Sequence, residues 1–421
     1  MQKLNVGDLV KIFGNGFQYS GLVMPSQEES LVILKLDNGY NVGISAKNIQ
    51  KVQLVGKSRK PASQLPKMKS DSKLPNITIV TTGGTITSRV DYKTGAVSPL
   101  TNPEELIANV PEVAKLANIK IVSPFSKLSE AMLPEDWQKI ADAVALEINK
   151  GVDGVIVTHG TDTLHYTSAA LSFMLKDLPK PVALVGGQRS SDRGGFDGAQ
   201  NLVCAVHYCL SQIAEVAIIM HANTDDDYCY ALRGTKVRKM NSSRRDAFRP
   251  INSLPLAKID PKNGVEILAK SFRIRTNKRV KVDSRLQPKV ALIKYTPGLS
   301  PDILGYYVDK GYKGVVLEGT GFGHTSGKGW LKAIAQATKH VVVCMTTQTL
   351  YGTTNNHIYS SGVELHKVGV IYCRDTLSET AYVKLMYLLG TNNNLEEVKR
   401  AMTQNTSGEI SNRIEKKSFL F

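Results

Sequence analysis

The sequence predicts an α/β protein: a small N-terminal β-barrel followed by a two-domain core with mostly parallel sheets. Three observations predict it. From Asn76 onward, apolar runs of strand length alternate with amphipathic stretches of helical period, the pattern of a sheet covered by helices on both faces. The first ~55 residues hold short strand-like runs and no helical period. Between the two, residues 56–75 (GKSRKPASQLPKMKSDSKLP) turn to Lys, Ser and Pro, which predicts a flexible basic linker.

In the N-terminal part the runs are Asp8–Ile12, Tyr19–Val23, Ser30–Leu36 and Tyr40–Ile44, with Asp37-Asn38-Gly39 as a hairpin signal. Short strands joined by tight turns predict an SH3- or OB-like barrel. Such barrels bind proteins or nucleic acid, and the scaffold alone does not say which. The next unit, 76–285, starts with the buried run Ile77–Val80. An amphipathic helix over Pro134–Asn149, a strand at Val155–Val157 and helices over Thr163–Lys176 and Asp197–Ala214 follow. Residues 250–288 read as polar and irregular, with Arg273, Arg275, Lys278, Arg279 and Lys281 close together. A second α/β unit, 286–421, has strands at Val290–Lys294, Gly314–Leu317 and Val341–Met345.

Composition narrows the class. No apolar run approaches the ~18–20 residues of a membrane span, and Met1-Gln2-Lys3-Leu4-Asn5 does not open a signal peptide. A cytoplasmic location without membrane contact is expected. The charge of +16, from 53 Lys+Arg against 37 Asp+Glu, suits an anionic partner such as nucleic acid, or equally a solvated basic surface. Cys204, Cys209, Cys229, Cys344 and Cys373 form no C-x-x-C pair, and their odd count without a signal peptide argues for reduced thiols, not a disulfide framework or zinc site. No metal ligand set is expected.

Two loops carry the chemistry: Thr82-Gly83-Gly84-Thr85-Ile86 and His159-Gly160-Thr161-Asp162-Thr163. Each follows a strand, where open α/β sheets bind ligands. Glycines let a backbone turn tightly and approach a substrate, and Thr85 supplies a hydroxyl. A threonine hydroxyl needs a base, a proton relay and donors for an oxyanion before it attacks an amide. Thr161 and Asp162 offer a second hydroxyl and a polarising carboxylate, and a lysine is the natural third member. Local spacing does not select that lysine. On residues alone, the first loop is also compatible with a phosphate loop or a plain turn, and Asp162 with a helix N-cap.

Both loops, with the strands before them, resemble the two signatures of bacterial-type L-asparaginases, and the similarity extends over roughly residues 76–400. The resemblance implies a two-domain asparaginase-like core of the asparaginase/glutaminase type 1 family. It implies Thr85 as nucleophile, with Thr161, Asp162 and Lys239 as the other catalytic groups. Lys239 is reached through Lys239-Met240-Asn241-Ser242-Ser243-Arg244-Arg245-Asp246-Ala247-Phe248. Tyr92 matches a loop tyrosine, and Ser129 and Glu130 match the pair that holds the substrate's α-carboxylate and α-amine. Glu130 stands where many free asparaginases have Gln. Gly187, in Val185-Gly186-Gly187-Gln188-Arg189, matches a turn lining the amide site.

With the small barrel and basic linker in front, the whole chain is similar to the D-subunit family of archaeal glutamyl-tRNA(Gln) amidotransferases. Gly234-Thr235-Lys236-Val237-Arg238-Lys239-Met240 and Gly408-Glu409-Ile410-Ser411-Asn412-Arg413 carry that likeness. This implies a ligase of protein biosynthesis whose subunit hydrolyses L-glutamine and passes ammonia to an E subunit. The implied partner amidates Glu-tRNA(Gln) with ATP and Mg, so no cofactor is expected on this chain. A homodimer within a two-plus-two heterotetramer is the implied assembly. The rival readings are a stand-alone L-asparaginase/glutaminase, a non-catalytic RNA- or protein-binding protein and a thiol-dependent amidotransferase centred on Cys344.

Overall fold

A computed structural model of the chain describes all residues except 1–3, 25, 27–29, 37–40, 58–70, 91–96, 100–105, 108–109 and 191–195. The N-terminal strands Asp8–Gly14, Phe17–Met24, Leu31–Leu36, Asn41–Ser45 and Ile49–Lys57 form one antiparallel sheet. Alternate residues Val10, Ile12, Val23, Leu34 and Ile44 share one buried cluster, as a sheet with one covered face requires. The expected barrel is not closed: Asn41–Ser45 and Ile49–Lys57 are the two edges of the sheet, with no pairing between them among the described residues. The fifth strand pairs with the first across two register irregularities, which bend a sheet without sealing it. The hairpin signal at 37–39 and most of the basic linker lie outside the described residues.

The second unit centres on an eight-stranded sheet. Its parallel part runs Asn118–Val122, Asn76–Thr81, Gly154–Thr158, Val182–Val185, Val216–His221 in space. The four inner strands are largely apolar because both faces are covered, whereas the edge strand Asn118–Val122 exposes Lys120. Val155 and Val157 pack among the helices of one side, while Ile156 packs on the other. Helix Pro134–Asn149 forms where expected: Pro134 fits the first helical position, and the Asp136 carboxylate accepts the Leu133 N–H at 3.0 Å. It buries Trp137, Ile140, Ala141, Val144 and Ile148, a single 3.6-period face. The helix expected over 197–214 ends at Cys209.

The stretch 250–288 that read as irregular adds antiparallel strands instead. Ala257–Asp260 and Gly264–Ile267, with Cys229–Arg233 before them, extend the sheet beyond Val216–His221. In the third unit, Val290–Lys294, Gly314–Gly319, Val342–Thr347 and Ile371–Tyr372 make a four-stranded parallel sheet. Helices Leu164–Met174 and Ser378–Thr391 pack between the two sheets, so one apolar cluster runs through both units. No helix among the described residues is long and apolar enough to cross a membrane.

Candidate active site

The first strand of the main sheet, Asn76–Thr81, lies between the second, Asn118–Val122, and the third, Gly154–Thr158. The chain therefore leaves the first strand toward one side and the third toward the other. Loops diverge there and open a crevice at the strands' C-terminal ends. The two threonine loops sit on these two strands.

They are pressed together by glycine. Gly83 and Gly84 take φ of 107° and 83°, a region where a β-carbon is strained. A β-carbon on Gly84 would come within 2.3 Å of the Gly160 nitrogen, and one on Gly160 within 2.7 Å of Ser129 Oγ. A β-carbon on Gly186 would come within 2.6 Å of Thr161 Cγ2. Four segments that are distant in sequence thus meet at van der Waals distance. Hydrogen bonds fix them further: Thr82 N and Oγ1 both donate to Thr158 O, and Lys127 N donates to Thr82 O.

Lys239 reaches this crevice from the short strand Val237–Lys239, which pairs with Phe248–Pro250. Its Nζ donates to Thr161 Oγ1 at 2.8 Å and to Asp162 Oδ1 at 2.7 Å. The lysine side chain is 9% exposed and that of Asp162 65% exposed. Asp162 therefore serves the lysine and not the following helix, whose N-terminal residue Thr163 makes no side-chain cap. The arrangement places an ammonium between a hydroxyl and a carboxylate, the parts of a proton relay.

Ser129 is buried, and it ties its own turn to the second loop. Its Oγ accepts from Asp162 N at 3.3 Å, and its carbonyl accepts from Thr163 Oγ1 at 2.7 Å. Glu130 beside it is exposed. Gly187 lies in the turn after Val182–Val185, where the Asp197 carboxylate takes the N–H groups of Gln188 and Arg189 at 2.9–3.1 Å. Thr85 is half-buried in a short 3₁₀ turn directly after Gly84. Tyr92 lies outside the described residues.

Several supporting groups escaped the sequence reading. His159 is fully buried and bridges Gly160 O at 2.7 Å and Thr167 Oγ1 at 2.9 Å. Burial lowers its pKa to about 4, so the ring is neutral and structural. Asp246 is held by Arg244 at 2.8 Å and also by Arg249, which braces the hairpin that carries Lys239. The opposite charges packed together in Arg244-Arg245-Asp246 were a signal that such a brace exists. Arg238 pairs with Glu379 at 3.1 Å, across 141 residues of sequence that no local pattern links.

Cys344 is fully buried. A hydrogen bond with Cys373, together with burial, raises its thiol well above the usual range. A nucleophilic thiolate needs the opposite shift. No group of three or more His, Cys, Asp or Glu suited to a metal occurs among the described residues.

Residues 76–273 match the family described as Asparaginase, N-terminal, and residues 289–402 the Glutaminase/Asparaginase C-terminal domain. Residues 4–55 match the GatD N-terminal domain. The chain is 50% identical to the D subunit of the glutamyl-tRNA(Gln) amidotransferase of Pyrococcus abyssi, over 97% of this chain and 96% of that protein. It is 45% identical to the protein of the same name from Methanococcus maripaludis, over 98% of this chain and 99% of that protein. Among solved structures, the thermostable L-asparaginase from Thermococcus kodakarensis superposes with a TM-score of 0.72 at 32% identity. That match covers 80% of this chain and 100% of the asparaginase. Since the match to the amidotransferase subunits takes in the N-terminal sheet as well as both core units, the chain belongs to the family of glutamyl-tRNA(Gln) amidotransferase D subunits.

Proposed function

We propose that this chain is the glutaminase subunit of a tRNA-dependent amidotransferase. It hydrolyses L-glutamine through an acyl-threonine intermediate and supplies ammonia to an E subunit. That partner converts Glu-tRNA(Gln) to Gln-tRNA(Gln) with ATP and Mg. The carrying observation is the Thr161–Lys239–Asp162 group at the switch point of the sheet, one backbone contact from the Thr85 loop.

In this reading Thr85 Oγ attacks the side-chain amide carbon of glutamine, and its proton passes into the relay. Asp162 orients Lys239, and Lys239 in turn orients the Thr161 hydroxyl. N–H groups near Thr161 and Gly187 stabilise the oxyanion. The C–N bond breaks as the leaving nitrogen takes a proton and departs as ammonia. Water then cleaves the ester, which frees glutamate and restores the hydroxyl. Ser129 and Glu130 hold the α-carboxylate and α-amine, and Tyr92 or the Thr161–Asp162–Lys239 group assists the attack. A second copy of the chain covers the open side of Asp162, giving a homodimer within a two-plus-two heterotetramer. A cytoplasmic location follows from the tRNA substrate.

The similarity to free L-asparaginases supports a second reading, a stand-alone L-asparaginase/glutaminase. Glutamate release is measured with the chain alone, with the E subunit added, and with the E subunit plus Glu-tRNA(Gln). Strong stimulation by partner and tRNA is expected. Full turnover on asparagine by the chain alone would establish the second reading instead.

A further inference from the structure

The turn after Val182–Val185 is held from one side by helix Asp197–Cys209. Asp197 takes the N–H groups of Gln188 and Arg189, and one turn further along the helix Asn201 Nδ2 donates to Gly186 O at 3.0 Å. A peptide group is planar and trans, so an anchored Gly186 carbonyl aims the Gly187 N–H in the opposite direction. That N–H donates to no group among the described residues. Gly186 also abuts the relay, since a β-carbon there would lie 2.6 Å from Thr161 Cγ2.

Asn201 is itself oriented from behind. Its Nδ2 is spent on Gly186 O, so its Oδ1 faces His221 Nδ1, at 2.7 Å, and that ring nitrogen is the donor. His221 ends strand Val216–His221, and its other nitrogen, Nε2, lies 3.0 Å from Asp226 Oδ1. Arg245 Nη1 donates to the same Asp226 oxygen at 2.9 Å. Arg245 belongs to the connection between Val237–Lys239 and Phe248–Pro250, the hairpin that carries Lys239. Asn201 and His221 are fully buried, whereas the Asp226 side chain is 62% exposed. Buried polar groups joined in this way hold one geometry, because any other would leave some of them unpaired. The line closes a ring. Lys239 bonds Thr161, Thr161 abuts Gly186, and Gly186 leads through Asn201, His221 and Asp226 back to the hairpin of Lys239.

We propose that Asn201, His221 and Asp226 are positioning residues for the reaction: they aim the Gly187 N–H at the oxyanion and hold it in register with Lys239. The inference rests on the glutaminase reading of this site. In this role none of the three touches the substrate, and they act on the transition state through the Gly186–Gly187 peptide. Their loss therefore lowers kcat and leaves KM for glutamine unchanged, because the α-carboxylate and α-amine are held elsewhere.

The test measures kcat and KM for glutamate release by the complete amidotransferase with Glu-tRNA(Gln). Asp226 is exposed, so Asp226→Ala leaves the core packing intact. It is expected to lower kcat about three- to ten-fold, the scale of one net hydrogen bond, with KM unchanged. Asp226→Asn keeps an acceptor for His221 and should recover most of that loss. Asn201→Leu frees the Gly186 carbonyl and should cost more, toward the about 10²-fold of a lost oxyanion donor. His221→Phe removes both ring nitrogens, and adding Asp226→Ala to it should cost nothing further, since members of one line do not act independently. An unchanged kcat in Asp226→Ala, a rise in KM alone, or losses that multiply in the double variant would each overturn the inference. If the parent complex released ammonia from asparagine and not from glutamine, the glutaminase reading would fall. The same kcat comparison on asparagine would still decide whether the line positions the turn.

Discussion

The two α/β units are both built on parallel strands and differ in how those strands are ordered. In the first, the spatial order of the parallel strands reverses around Asn76–Thr81. In the second, the four strands lie side by side in chain order, without a reversal. A reversal leaves a crevice and sequential order does not. The second unit also has a glycine-rich loop at a strand end, 319–323, but its polar groups are satisfied locally. Thr347 Oγ1 donates to Gly321 O at 2.6 Å, and Thr320 N to His324 O at 2.9 Å. In the first unit, Thr161 instead receives a lysine from a hairpin 78 residues away. Glycine loops on a parallel sheet are therefore not enough. A crevice and a charged group delivered from outside the sheet make the difference.

The comparison is broken most directly at Thr85. Thr85→Val is expected to lower glutamine hydrolysis by at least about 10³-fold, the scale of removing a nucleophile. Cys344→Ala, in a central strand of the second unit, should leave the turnover number unchanged. Glutamate release by both variants decides it, and survival of activity in Thr85→Val would remove the threonine mechanism. Next in size is Lys239→Met, expected to cost about 10²–10⁴-fold in kcat with folding intact, the range for one general acid–base group. Retained kcat with only a raised KM would make the lysine a binding group.

Two further tests sharpen the contrast in stability. Gly84→Ala meets both a positive φ and the Gly160 backbone, whereas Gly321, at φ 52°, has nothing within 4 Å of a β-carbon. Chemical denaturation should show a loss of about 2–3 kcal/mol for Gly84→Ala and about 1 kcal/mol for Gly321→Ala. Equal losses would mean that the loops of the first unit are not tightly packed. The last test concerns the pH dependence set by His159. Its folded pKa of about 4 lies below the ordinary histidine value of 6.5, so the unfolded chain binds the proton more readily between those values. Its contribution to stability is complete above pH 6.5 and is lost as pH falls toward 4, by about 1.4 kcal/mol per pH unit. A His159→Gln variant should show a shallower fall in denaturation midpoint between pH 7 and 5.

Much was legible in the chain where a segment's environment is set by its own residues. Ile77–Val80 and Val155–Val157 read as buried strands because both faces are covered, so apolar residues dominate throughout. The amphipathic period of Pro134–Asn149 marked the helix that follows Leu133. Ala257–Asp260 escaped because only Ala257 and Ile259 are buried, while Lys258 and Asp260 face outward. Four residues are too few to distinguish that alternation from a polar loop. The open N-terminal sheet escaped for another reason. Closure depends on whether Asn41–Ser45 meets Ile49–Lys57, and strand patterning is identical in either case.

The same division holds at the site. Residue order by itself determined that glycines and threonines end two buried strands, because loop chemistry and apolar runs are local properties. Only the tertiary structure decided which of many lysines stands between Thr161 and Asp162. It also decided that Asp162 pairs instead of capping, and that Glu379 reaches Arg238. Those choices follow from sheet order and helix packing, which bring distant residues within about 3–4 Å, and a sequence records neither distance nor direction between its distant parts.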